Sequence, residues 1–150
     1  MIKFTPKQIA WFIPVAYLFH LADEYFTGFH KWFSEAFNVD LSFNDFIIIN
    51  SIGFSIIAIL VTLYTLGKTN HFVIAVLGNL FFVNGVAHII ASVTTMTYSP
   101  GTFSAIFIYL PLGFLGYKMI SPLLSPFQRN ISVADGLFGQ IAIAFITMTI

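Results

Sequence analysis

Apolar residues in this chain fall into long runs separated by short polar stretches, a pattern that predicts an all-α membrane bundle of about five transmembrane helices. The first run extends from about Gln8 to Thr27, with Trp11 and Tyr25 near its ends as interfacial anchors and Pro14 inside it as a bend. A more polar connection, Gly28 to Asp45, contains a piece, Phe29 to Phe37, that mixes aromatic and charged residues and suits a short helix lying in the interface. The second run covers about residues 45–66, closed by Gly67 and the short turn Lys68-Thr69-Asn70. The third, about 71–96, carries Gly78, Asn79, Asn84, Gly85 and His88, so it is expected at the centre of the bundle. Tyr98-Ser99-Pro100-Gly101 forms a tight turn before the fourth run, Thr102 to Met119, where Pro111 and Gly113 predict a kink. Ser121 to Pro126 and Gln128 to Asn130 read as a loop, and Gly136 to Ile150 as a fifth run. Its 15 residues rise only ~22 Å as a helix, less than a hydrocarbon core of ~30 Å.

Composition strengthens this picture. Of 150 residues, 58% are hydrophobic and 8% charged, with 19 phenylalanines and a mean hydropathy of +0.91. A soluble domain carries about 25% charged residues, so the chain reads as a single integral membrane domain, residues 1–150, and a prokaryotic cytoplasmic membrane is its expected location. Zero net charge gives no basic face for nucleic acid. The absence of cysteine removes disulfides, thiolate nucleophiles and thiolate metal sites. The Lys3 and Lys7 start is not read as a signal peptide, because Pro14, Asp23 and Glu24 interrupt its apolar run and no small-residue cleavage site follows. With five spans, Lys3, Lys7, Lys68, Lys118 and Arg129 fall on one side and Lys31 on the other, which makes the N-terminus cytoplasmic.

The chemistry concentrates in His20-Leu21-Ala22-Asp23-Glu24. Ionisable groups inside a span cost roughly 2.5–3.5 kcal/mol each at the bilayer centre and need partners or a wet pocket. Positions i, i+3 and i+4 of a helix share a face, so His20, Asp23 and Glu24 project together, and Asn84 and His88 form a second stripe on the third run. His20 lies 13 residues past Lys7, ~20 Å up, and His88 lies 17 residues past His71, ~25 Å up in the same sense. Both reach the outer half, with Asn50 in the same layer and Tyr98 just above it.

Two imidazoles and two carboxylates in a low-dielectric pocket are the ingredients of a cysteine-free site for zinc or iron, where an open position permits Lewis-acid chemistry. His20, Glu24 and His88 are candidate ligands, and Asp23 and Glu24 candidate catalytic carboxylates. Asn50, Asn84 and Tyr98 are candidate substrate contacts; the asparagines also suit interhelical hydrogen bonds, and Tyr98 an interfacial anchor. Metal-free proton handling by His and Glu is the alternative chemistry.

His20-x-x-Asp23-Glu24, a separate intramembrane His88, and Tyr98-x-Pro100-Gly101 together resemble the HXXEE-domain family of small integral membrane proteins. The resemblance extends from the first run through the fourth. It implies a functional site at these residues without naming a reaction, and Asp23 departs from it by standing where the family has glutamate. Three functions fit: a metal-dependent enzyme acting on a lipid or other apolar small molecule, a binding or transport protein for a cation, proton or polar head group, and a structural subunit held by a polar knot.

Overall fold

The computed structural model describes residues 4–149, and among these it is helical with no strand. Lys3, counted above for orientation, and Ile150, the expected end of the last run, lie outside the described residues. Helix α1 spans Pro6–Thr27. It starts two residues before Gln8 because Thr5 and Gln8 form a capping box: the Thr5 hydroxyl accepts the Gln8 N–H at 3.3 Å and the Gln8 side chain accepts the Thr5 N–H at 2.9 Å, with Pro6 at the first helical position. Gly28, in the left-handed region at φ 80°, ends α1 and launches α2, Phe29–Phe37. Helix α3 spans Phe43–Thr65 behind the Ser42 cap, and α4 spans His71–Thr95 behind the Asn70 cap.

The expected kink takes a specific form. A short α5, Thr102–Ser104, passes through a π-helical stretch, Ala105–Tyr109, into α6, Leu110–Ile120. Pro111 has no N–H and its ring would strike the carbonyl four residues back, so an α-helix cannot run through it unchanged. In the widened π geometry the Leu110 N–H reaches Ala105 O instead. A 3₁₀ turn, Ser121–Leu123, follows.

The loop expected through Asn130 and the short fifth run are corrected. Helix α7 spans Pro126–Thr149, 24 residues that rise ~36 Å, which removes the shortfall against the bilayer. Ser125-Pro126-Phe127-Gln128 repeats the device of Thr5-Pro6-Lys7-Gln8. The Ser125 hydroxyl accepts the Gln128 N–H at 3.2 Å and the Gln128 side chain accepts the Ser125 N–H at 3.0 Å. The prolines, read in sequence as loop formers, include one at the start of a helix, where its missing N–H costs nothing.

Among the described residues, four helical stretches are long and apolar enough to cross a membrane: α3, α4, Thr102–Leu123 and α7. They indicate an integral membrane protein. Helix α1 is as long, with 22 residues, but Lys7, His20, Asp23 and Glu24 make it more polar. The outward stripe of α3 exposes Ile48, Ile52, Ile56 and Ile59, with Ser51 and Ser55 between them and the Ser55 hydroxyl donating back to Ser51 O, a mostly apolar surface suited to lipid.

Helix α4 is the most buried of the four and packs against α6 and α7, as its small and polar residues predicted. Two glycines set the closeness. A Cβ at Gly136 would stand 2.7 Å from Asn79 Cβ and 2.9 Å from backbone atoms of Asn79 and Leu80, and one at Gly113 would stand 3.0 Å from Gly78 O. Between α4 and α7, Asn79 donates to Ser132 Oγ at 3.1 Å and Asn84 donates to Gln140 at 3.2 Å. Gly136→Ala is therefore expected to destabilise the protein by about 1–3 kcal/mol, because backbone cannot yield to the new methyl. Gly116→Ala, which meets no atom within 4 Å, is expected to stabilise it by up to ~1 kcal/mol through helix propensity. Equilibrium unfolding of both variants in the same detergent gives the two signs.

Candidate metal centre

Helix α1 presents His20 and Glu24 one turn apart, and α4 brings His88 against them from across the bundle. Glu24 Oε1 lies 3.5 Å from His20 Nε2 and 3.4 Å from His88 Nε2. All three side chains are buried, at 4–6% exposure, where a charge without a partner is costly. One ligand atom from each residue lies within 4.8 Å of the others, close enough to share a metal ion. His20 Nε2 is buried with no hydrogen-bond partner. An unpartnered buried nitrogen costs about 1–3 kcal/mol, and this one converges with a carboxylate and a second imidazole.

The rings are held from behind. His20 Nδ1 lies 2.8 Å from Ser104 Oγ, and His88 Nδ1 lies 3.1 Å from Ser99 Oγ. Each imidazole thus has one nitrogen fixed by a hydroxyl and the other turned to the centre, the arrangement that orients metal-ligating histidines. Tyr109 stacks on His20 at 4.2 Å and on Phe81 at 4.2 Å, and His88 meets His20 edge-on at 4.8 Å. The π-helical stretch delivers Tyr109, itself only 2% exposed, to that position.

The turn before α5 forms the remaining wall. Gly101 adopts φ 94°, and a Cβ there would lie 2.8 Å from His88 Cε1, 2.9 Å from Glu24 Cγ and 2.9 Å from His20 Cε1. Only glycine leaves this backbone against all three ligands. Beside the turn, Phe29 of α2 lies 5.9 Å from the His88 ring. Helix α2 is tied down by Phe33 packed with Leu41 and Phe46, and by Trp32 Nε1–H donating to Thr97 Oγ1 at 2.9 Å.

Of the residues singled out in sequence, the fold therefore brings His20, Glu24 and His88 together. Asp23 turns to Ser104, whose backbone N–H and hydroxyl lie 2.8 and 2.7 Å from Asp23 Oδ2. Asn50 Oδ1 accepts the Tyr17 hydroxyl at 2.8 Å, between α1 and α3. Asn84 pairs with Gln140 through its amide nitrogen, while its Oδ1 is buried without a partner. Tyr98 is half exposed, and its hydroxyl accepts the Phe103 N–H at 3.2 Å. Sequence reasoning missed Ser104, Tyr109 and the contacts of Gly101. Ser104 stands in the first turn of a helix, where serine is ordinary, and no spacing rule links it to a histidine 84 positions earlier.

Comparison with curated proteins and with solved structures finds no match. The family model described as "Protein of unknown function with HXXEE motif" matches residues 11–115, which include all three converging side chains and the turn that walls them. With that match covering more than half of its length, the chain belongs to the HXXEE family.

Proposed function

We propose that the protein holds one divalent metal ion, zinc or iron, on His20 Nε2, Glu24 and His88 Nε2, and that it is a membrane enzyme acting on a lipid or other apolar small molecule. The observation that carries the metal reading is the buried, unpartnered His20 Nε2 aimed at a carboxylate and a second imidazole. Two nitrogens and one oxygen suit zinc or iron, and three protein ligands are the count found where a metal keeps a position open for water or substrate. When bound, the metal supplies Lewis-acid polarisation or a hydroxide nucleophile near neutral pH. The protein's own part is to hold both imidazoles by their far nitrogens and to exclude water with Tyr109, Phe29 and Phe81.

In this reading α1 is a fifth span, its polar face satisfied inside the bundle, and residues 1–150 make one membrane domain. In the same reading the N-terminus faces the cytoplasm of a prokaryotic cell and the site lies in the outer half of the bilayer, an orientation supported by the excess of Lys and Arg at one end. Asn84 is the strongest of the proposed substrate contacts, since its Oδ1 is buried and unpaired one turn before His88. Asn50 and Tyr98 complete that layer, and Asp23, the other candidate catalytic carboxylate, stands beside Glu24 with its Oδ2 on Ser104.

Elemental analysis tests the metal reading. Protein purified without chelator is expected to carry close to one equivalent of zinc or iron per chain and to regain it after removal and re-addition. Protein that is metal-free and takes up none on titration sinks the proposal.

A further inference from the structure

Asp23 and Ser104 make no hydrogen bond to the side chains of Glu24 or His88, yet Ser104 stands directly behind His20 and Asp23 holds Ser104. Three polar groups surround the Ser104 hydroxyl: Asp23 Oδ2 at 2.7 Å, Gly101 O at 3.0 Å and His20 Nδ1 at 2.8 Å. Asp23 Oδ2 already accepts the Ser104 N–H at 2.8 Å, so it and the Gly101 carbonyl are both acceptors, and a hydroxyl has a single proton to donate. If that proton went to His20, two acceptor oxygens would face the serine oxygen with nothing between them. The consistent arrangement has the hydroxyl donating to Asp23 and accepting from His20 Nδ1–H.

The same carboxylate completes the start of the helical run after the turn. The Thr102 N–H donates to Ser99 O at 3.0 Å, the Phe103 N–H to Tyr98 Oη at 3.2 Å, the Ser104 N–H to Asp23 Oδ2 at 2.8 Å and the Ala105 N–H to Gly101 O at 2.9 Å. A carboxylate from α1 thus takes the place of the capping side chain that Gly101 lacks. The two halves of the sequence signature, His-x-x-Asp-Glu and Tyr-x-Pro-Gly, meet at this one junction.

We infer that Asp23 and Ser104 are positioning residues: Asp23 anchors the Ser104 hydroxyl, and Ser104 holds the His20 proton on Nδ1, which leaves the Nε2 lone pair for the centre. Resting on the metal reading for its functional consequence, this inference gives the two adjacent carboxylates different work. Glu24 faces the metal, and Asp23 sets the tautomer of a ligand while locking α1 to the turn that carries Gly101.

The experiment combines ¹⁵N-histidine NMR of the metal-free full-length protein in detergent micelles with zinc titration of the same samples. Wild type is expected to show His20 protonated at Nδ1. Ser104→Ala is expected to lose that preference and to bind zinc about 10–100-fold more weakly, the range for removal of an outer-shell partner. Asp23→Asn keeps an oxygen that can accept from both Ser104 groups, so it is expected to retain helix content and to weaken zinc by about 10-fold through the lost charge. A wild-type His20 with no proton on Nδ1 overturns the inference. So does a Ser104→Ala protein whose tautomer is unchanged and whose zinc affinity stays within about twofold of wild type. Nδ1 protonated in wild type, lost in Ser104→Ala, with no zinc bound by either, removes the metal reading and leaves the positioning roles standing.

Discussion

Glu24→Gln is expected to lower zinc affinity by about 10²–10³-fold while the metal-free protein keeps its fold, and His20→Ala and His88→Ala to do the same. Zinc bound by four ligands gains about 10–16 kcal/mol, or roughly 2.5–4 kcal/mol per ligand, and each 1.4 kcal/mol is a factor of ten. Glutamine keeps the shape of Glu24 and removes its charge, so the packing around a side chain that is 6% exposed is undisturbed. That choice separates the metal site from a purely structural polar knot. A knot held by His20, Glu24 and His88 through direct contacts at 3.4–3.5 Å would lose stability without any metal present. Calorimetric zinc titration and chelator-treated unfolding of the same variants give the two quantities. Equal zinc binding by wild type and Glu24→Gln would remove Glu24 from the ligand set.

The second large effect belongs to Gly101. Gly101→Ala is expected to destabilise the protein by about 2–5 kcal/mol and to abolish stoichiometric metal binding. About 1–2 kcal/mol of this is the left-handed backbone at φ 94°, and the remaining ~1–3 kcal/mol is the new methyl overlapping all three ligand side chains at 2.8–2.9 Å. Gly28→Ala is the matched control, since φ is 80° and a Cβ there meets nothing within 4 Å. It is expected to cost only the backbone part and to keep its metal. Thermal unfolding and metal content of the two variants isolate the contact from the conformation, and a metal-loaded Gly101→Ala protein would show that the wall is not part of the site.

Much of the site could be read before any fold was known, and the reason is thermodynamic. An imidazole and two carboxylates within one turn of an apolar run stand out because membrane insertion penalises each of them, so their presence needs a cause. His88 followed from helix geometry, since 1.5 Å per residue from known ends placed it in the same layer as His20. Tyr98-Ser99-Pro100-Gly101 was legible as a turn because proline and glycine restrict the backbone locally, whereas the role of Gly101 as a wall against the ligands was not. That role depends on three side chains from two other helices. The start of α7 was misjudged although its Ser-Pro-x-Gln capping box was in plain view, because proline was weighed as a loop former and its fitness for a first helical position was overlooked.

What the chain dictated locally was therefore the all-helical class, the apolar runs, and the pair of polar stripes that had to be buried. These follow from transfer energies and helical periodicity, which act over a few residues and leave their mark in order along the sequence. The division of labour between Asp23 and Glu24 came from the packing of α1 against the turn and the π-helical stretch. The two carboxylates are adjacent and chemically alike, and only the neighbours, Ser104 for one and two imidazoles for the other, make them different. His20 is local to Glu24, one turn before it, but Ser104 and His88 lie more than 60 positions away along the chain, and no local rule encodes them.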